Sequence, residues 1–198
     1  MLVVTQDSAN SERIPRFSIA VFDADLLAKT RAAWGQQTIG DANSPYSIVL
    51  DEVEYSLSTN ATSSPNRVVF FAIMEGELVL GISELVFCSA GKRCRVVKQL
   101  DTHLCPNLHD KLVFEEVDEA KEEALSVYLT SILHAFAINE NVHPEALRLY
   151  AREPAQLWLF QELAKAIKAE QTNNLKVHVT GRWLNVEGCL GGEKENVQ

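Results

Sequence analysis

Residues Arg67–Cys88, RVVFFAIMEGELVLGISELVFC, decide the fold. Two runs rich in β-branched and aromatic residues flank Glu75-Gly76, where a glycine lets the chain reverse through positive φ. The pattern predicts a hairpin with strands over Val68–Met74 and Leu78–Phe87. The second strand is apolar almost throughout, which places it at the centre of a sheet with both faces covered. Helical patterning dominates only later in the chain, so the hairpin is expected to nucleate an α+β sheet.

Upstream, Phe17–Phe22 reads as a first strand. Asp23 or Asp25 then caps a helix over about Ala24–Trp34, with Leu26, Leu27 and Trp34 facing inward. Gly35–Pro45 is a polar connection. Tyr46–Leu57 is open between strand and short helix, and Ser56–Asn66 reads as a loop. Downstream, Ala90-Gly91 starts a turn into a strand over Arg95–Leu104 that Pro106 stops, and Asn107–Asp118 is expected to be irregular. A helix follows over about Glu119–Ile138, with Ala124, Leu125, Tyr128, Leu129, Ile132, Leu133 and Phe136 as its apolar stripe. Ala146–Ala151 is a short strand. Pro154 suits the first turn of a last helix, whose core stripe is Leu157, Phe160, Leu163, Ala164 and Ile167. Leu175–Val186 is a final strand broken or bulged at Gly181. This order predicts one domain over residues 14–187, with 1–13 and 188–198 as flexible termini.

Composition narrows the function classes. The 198 residues suffice for one substantial core, and 46% hydrophobic with 23% charged residues is ordinary for a globular chain. A net charge of -9, from 27 acidic and 18 basic residues, argues against nucleic-acid binding, which needs clustered Lys and Arg. Lys92-Arg93-Cys94-Arg95 reads as a solvated turn. No apolar run approaches the ~20 residues of a membrane span, and no basic-then-apolar leader opens the chain. Cys88, Cys94, Cys105 and Cys189 form no C-x-x-C pair and read as free thiols, which predicts a cytoplasmic protein. Glu115–Glu123 holds six carboxylates in nine positions and reads as a solvated face or helix start.

Three stretches resemble the GNAT superfamily of acyl-CoA-dependent N-acyltransferases. Glu75–Ile82 (EGELVLGI) is similar to the family's second-to-third-strand hairpin. Val97–Pro106 (VKQLDTHLCP) resembles its fourth strand, and Leu147–Leu163 (LRLYAREPAQLWLFQEL) its fifth strand and following helix. The resemblance spans roughly residues 15–187. It implies a mixed, mostly antiparallel central sheet flanked by helices, with the fourth and fifth strands diverging near Leu104 and Tyr150. It also implies acyl-CoA as cofactor, held by the backbone of the splayed fourth strand around Leu104 and Cys105.

The chain departs from the family at two functional places. The family loop R/Q-x-x-G-x-G/A presents backbone N–H groups to a pyrophosphate. Here the corresponding stretch, Asn107–Glu116 (NLHDKLVFEE), has no glycine and runs into acidic residues. The family's last helix often carries N-x-x-A-x-x-L-Y, whose tyrosine protonates the leaving thiolate. The matching register here is Glu153, Gln156, Leu159 and Phe160, and phenylalanine has no proton to give.

His103 alternates with Asp101 and Cys105 on the fourth strand, so the three share a face. His103 is a candidate general base or a satisfied structural histidine. Glu84, set among Leu85, Val86 and Phe87, is a second candidate base through a raised pKa, or else faces solvent or an arginine. His103, Cys105 and His109 lack a fourth ligand for zinc, so no metal is assigned. Cys105 as nucleophile lacks a paired base. Trp34, Trp158, Trp183, Tyr128, Tyr150 and Phe136 read as core, and Gly181-Arg182-Trp183 as a bulge with Arg182 capping a carboxylate. Two functions remain open. One is acyl transfer from acyl-CoA to an amine of a small molecule or protein. The other is a non-catalytic GNAT-like module that acts through a protein partner. An exposed edge at the last strand allows a homodimer.

Overall fold

The computed structural model describes residues 16–38, 45–59, 66–90, 93–112, 118–142, 145–169 and 176–187. Both expected termini, 1–13 and 188–198, fall outside them. The elements run β1 (Ser18–Val21), α1 (Ala24–Gln37), α2 (Pro45–Thr59), β2 (Asn66–Glu75), β3 (Leu78–Ala90), β4 (Arg93–Leu104), α3 (Pro106–Asp110), α4 (Asp118–Val142), β5 (Ala146–Tyr150), α5 (Pro154–Ala169), β6 (Lys176–Thr180) and β7 (Trp183–Glu187). The seven strands form one sheet in the order β1-β2-β3-β4-β5-β7-β6. Every neighbouring pair is antiparallel except β4–β5. This is the mixed, mostly antiparallel α+β sheet that the sequence predicts.

The hairpin is its centre. β2 pairs with β3 from Asn66 with Cys88 to Glu75 with Leu78, and Gly76 turns at φ 61°. β3 lies between β2 and β4, and Ile82 and Leu85 are fully buried. Asp23 caps α1 by accepting from the Leu26 N–H at 2.8 Å, as expected. Trp34, buried at the far end of that helix, donates its indole N–H to Val79 O at 3.0 Å, tying α1 to β3.

Paired residues of a ladder share a face, and successive residues alternate. Ser83 and Thr102 face α4, because Ser131 of that helix meets both hydroxyls. Glu84 and its partner Asp101 therefore face the other way, toward α2. α5 lies on the α4 side, where Phe160 and Ala164 pack with Ile132, Leu147 and Leu184.

The structure resolves or corrects several expectations. The Tyr46–Leu57 stretch is helical, as α2: Pro45 starts it, and Val49, Leu50, Val53 and Ser56 are buried at helical spacing. Asn107–Asp118 is not irregular throughout, since Pro106–Asp110 forms α3. The predicted α4 stripe is right at Ala124, Tyr128 and Ile132, which are buried, and wrong at one edge. Val127, Ser131 and Ala135 are buried, whereas Leu129 and Leu133 are exposed. Trp158 is exposed too, not core. The final strand is a hairpin that reverses at Gly181, φ 59°. β7 is thus interior, and β6 forms the sheet edge. Arg182 caps no carboxylate among the described residues; its Nη1 donates to Arg152 O at 2.7 Å.

Candidate functional site

β4 and β5 pair only from Val96 with Ala146 to Gln99 with Leu149. Beyond that, β4 continues against β3 alone to the Leu104–Gly81 pair. The other chain turns away, with the Ala151 N–H donating to Arg182 O at 2.8 Å. The two strands part, and a bulge sits at the parting. Leu85 pairs with Gln99 but Glu84 with Asp101, leaving Leu100 unpaired. The bulge puts Leu100 and Asp101 on one side of the strand.

A cleft of about 320 Å³ opens there. Its polar groups are Glu52 from α2, Glu84 from β3, Asp101 and His103 from β4, and Tyr150 and Arg152 at the end of β5, with Ile48, Val49 and Leu100 as apolar wall. The structure thus brings together both candidate bases, His103 and Glu84. Glu52, Tyr150 and Arg152 escape a sequence reading, because they arrive through long-range register and no local motif marks them.

Asp101 is the hub. Its Oδ1 accepts the Thr102 N–H at 2.7 Å. Its Oδ2 accepts from Arg152 Nη1 and lies 3.4 Å from His103 Nε2. Burial pushes the Glu84 carboxyl up to about 7, and the charges of Glu52 and Asp101 add to the rise while Arg152 opposes it. Burial lowers the His103 pKa; Asp101 pulls it up and Arg152 pushes it down. The cleft therefore holds a carboxyl that titrates near neutrality beside an imidazole biased toward its neutral form. Both can accept a proton there.

Leu104 and Cys105 lie apart from this cleft. Both are buried, and the Cys105 N–H donates to Leu80 O at 2.8 Å. Burial raises the Cys105 thiol pKa, the opposite of an activated nucleophile. His109 Nδ1 is 2.9 Å from the Tyr46 hydroxyl, away from His103. Among the described residues no group of His, Cys, Asp and Glu is arranged to hold a metal ion. None of their helices is long and apolar enough to cross a membrane.

The acyl arm of an acyl-CoA would lie along the parting once the Arg152–Asp101 pair that spans it opens. β4 beyond Gln99 has no β5 partner, and such an edge can pair with an extended arm carrying amide groups. The phosphate end finds no cradle among the described residues. The Asn107 N–H is already given to Gln37 Oε1 at 3.0 Å, the Cys105 N–H to Leu80 O, and Asn107–Leu112 contains no glycine. The rest of the expected loop, 113–116, lies outside the described residues. Phe160, in the register of the family's tyrosine, is a buried core residue.

No protein-family profile matches the chain, and no curated protein matches it. Solved structures do. One is a probable acetyltransferase from Staphylococcus epidermidis, 12% identical, covering 86% of this chain and 98% of that one with a TM-score of 0.43. Another is a GNAT family acetyltransferase from Elizabethkingia anophelis with acetyl-CoA bound, at 10%, 89% and 99% with 0.35. A third is a spermidine N-acetyltransferase chimera from Vibrio cholerae and hSSAT, at 13%, 87% and 92% with 0.37. These are likenesses of outline, and the roles assigned below rest on this chain's own residues.

Proposed function

We propose that the cleft at the β4–β5 parting receives an amine and that the chain transfers an acyl group from acyl-CoA to it. The observation that supports this most is the position of Glu84. It is a half-buried carboxyl titrating near neutrality, it faces Asp101, and it lies where β4 leaves β5. Glu52 and Glu84 attract an ammonium group into the cleft. Ionised Glu84 then accepts a proton and leaves the nitrogen lone pair free. His103 is a second acceptor in the same cleft. Tyr150 and the apolar wall of Ile48, Val49 and Leu100 enclose the acceptor's carbon body. The free edge of β4 from Leu100 to Leu104 would hold the acyl arm. Acyl-CoA, when bound, supplies the activated carbonyl, to which nitrogen bonds as the carbon–sulfur bond breaks.

A thiol-release assay with acetyl-CoA and a panel of primary amines tests this. Turnover is expected with at least one amine, and Glu84→Gln should lower it by about 100-fold or more, the usual contribution of a general base. No thiol release above the enzyme-free rate with any amine contradicts the reading.

Two observations favour a second reading. The Arg152–Asp101 ion pair spans the parting, and the N–H groups of Thr102, Cys105 and Asn107 are all bonded within the chain. These contacts suit a non-catalytic module that meets a protein partner through the same cleft. Absence of both turnover and acetyl-CoA binding would favour it.

A further inference from the structure

Arg152 and His103 both address one oxygen, Asp101 Oδ2. They reach it from opposite walls, since His103 stands on β4 and Arg152 just past the end of β5. The Arg152 backbone is fixed: its N–H donates to Gln156 Oε1 at 2.7 Å, and its carbonyl accepts from Arg182 at 2.7 Å. Its side chain is 60% exposed while that of Asp101 is 7% exposed. The guanidinium can therefore swing into water without moving the backbone, and it leaves behind a buried carboxylate that needs a partner.

We propose that Arg152 and His103 are alternative partners of Asp101 Oδ2: Arg152 adds to burial in keeping the imidazole neutral and bars the parting, and its departure hands the carboxylate to a protonated His103. Arg152 is thus a positioning residue for the base. This deepens the acyl-transfer reading and depends on it only for the catalytic consequence. Among the described residues, the charged and titratable groups facing His103 are Asp101 on its own strand, Glu84 from β3, Glu52 from α2, and Tyr150 and Arg152 from the β5 end. Arg152 is the one cation among them, so its removal leaves a field that favours imidazolium.

The test is an NMR titration of the full chain labelled at its five histidines, with His103→Asn to assign the resonance. In Arg152→Gln the His103 midpoint should rise by about one unit or more, a tenfold gain in proton affinity. Arg152→Lys should return it toward the wild-type value. The double variant Asp101→Asn/Arg152→Gln should lose the rise. An unchanged midpoint in folded Arg152→Gln overturns the proposal, as does an equal rise in the double variant. No acyl donor is present, so failure here is separate from failure of the transferase. If thiol release occurs, Arg152→Gln should also move the acid limb of the kcat/KM profile to higher pH.

Discussion

Glu84 on β3 and Asp101 on β4 stand directly opposite each other, two carboxylates paired across one antiparallel ladder. Like charges in that relation repel. The structure answers the repulsion unequally. Asp101 takes the cation of Arg152 and the N–H of Thr102, and Glu84 is left with burial and two negative neighbours. That asymmetry leaves Glu84 as the carboxyl that titrates near neutrality.

The first prediction concerns stability against pH. The folded Glu84 carboxyl is raised from its ordinary 4.5 to about 7. Its contribution is therefore fully present below pH 4.5 and is lost as pH rises through about 7, because the unfolded chain releases the proton first. Glu84→Gln removes that loss. Melting temperatures at pH 4 and pH 8 should show the variant gaining on wild type at pH 8. The gain is of order 1 kcal/mol after allowance for the group's partial exposure. Equal differences at the two pH values would contradict it.

The second concerns the hub. Asp101→Asn replaces a buried charge partner of Arg152 while keeping the side chain's shape. Urea unfolding should show a loss of about 1–3 kcal/mol, the range for a disrupted buried charged hydrogen bond. Arg152→Gln should cost more above the His103 titration, because it leaves the buried Asp101 carboxylate without its cation, whereas Asp101→Asn leaves only a guanidinium that water can solvate. The reverse order would show that Asp101 is held by something other than Arg152.

Gly81 carries the third. A Cβ there would stand 2.7 Å from Val127 Cγ1 and 3.3 Å from His103 O. Val127 is a fully buried residue of α4 with a stiff, β-branched side chain. Gly81→Ala should therefore push α4 off the sheet and cost about 1–3 kcal/mol. Gly81→Ala/Val127→Ala should recover part of the loss. Chemical denaturation of the two variants beside wild type checks it, and a neutral Gly81→Ala would refute the close approach.

The hairpin was legible because its two apolar runs and Gly76 agree at every level, from turn chemistry to sheet position. Tyr46–Leu57 was ambiguous because Ile48 and Val49 suit a strand, and only packing against α1 and β2 makes the segment helical. One edge of the α4 face was misassigned, though Ala124, Tyr128 and Ile132 were placed correctly, because Leu129 and Leu133 outweigh Val127, Ser131 and Ala135 in hydrophobicity. A close-packed sheet instead takes the smaller side chains, and Ser131 joins a buried hydroxyl network there. His103 and Glu84 stood out as polar residues in apolar strands. Glu52, Tyr150 and Arg152 join them only through the helix packing, the bulge at Leu100 and the short β4–β5 pairing, none of which is written in a local pattern.

The most direct measurement is a calorimetric and thermal-shift titration of the purified chain with acetyl-CoA and with free CoA. The account predicts saturable binding with a dissociation constant at or below about 100 µM, seen as clear stabilisation at millimolar ligand. Absence of any shift at millimolar acetyl-CoA would contradict acyl transfer and leave the cleft to a protein partner.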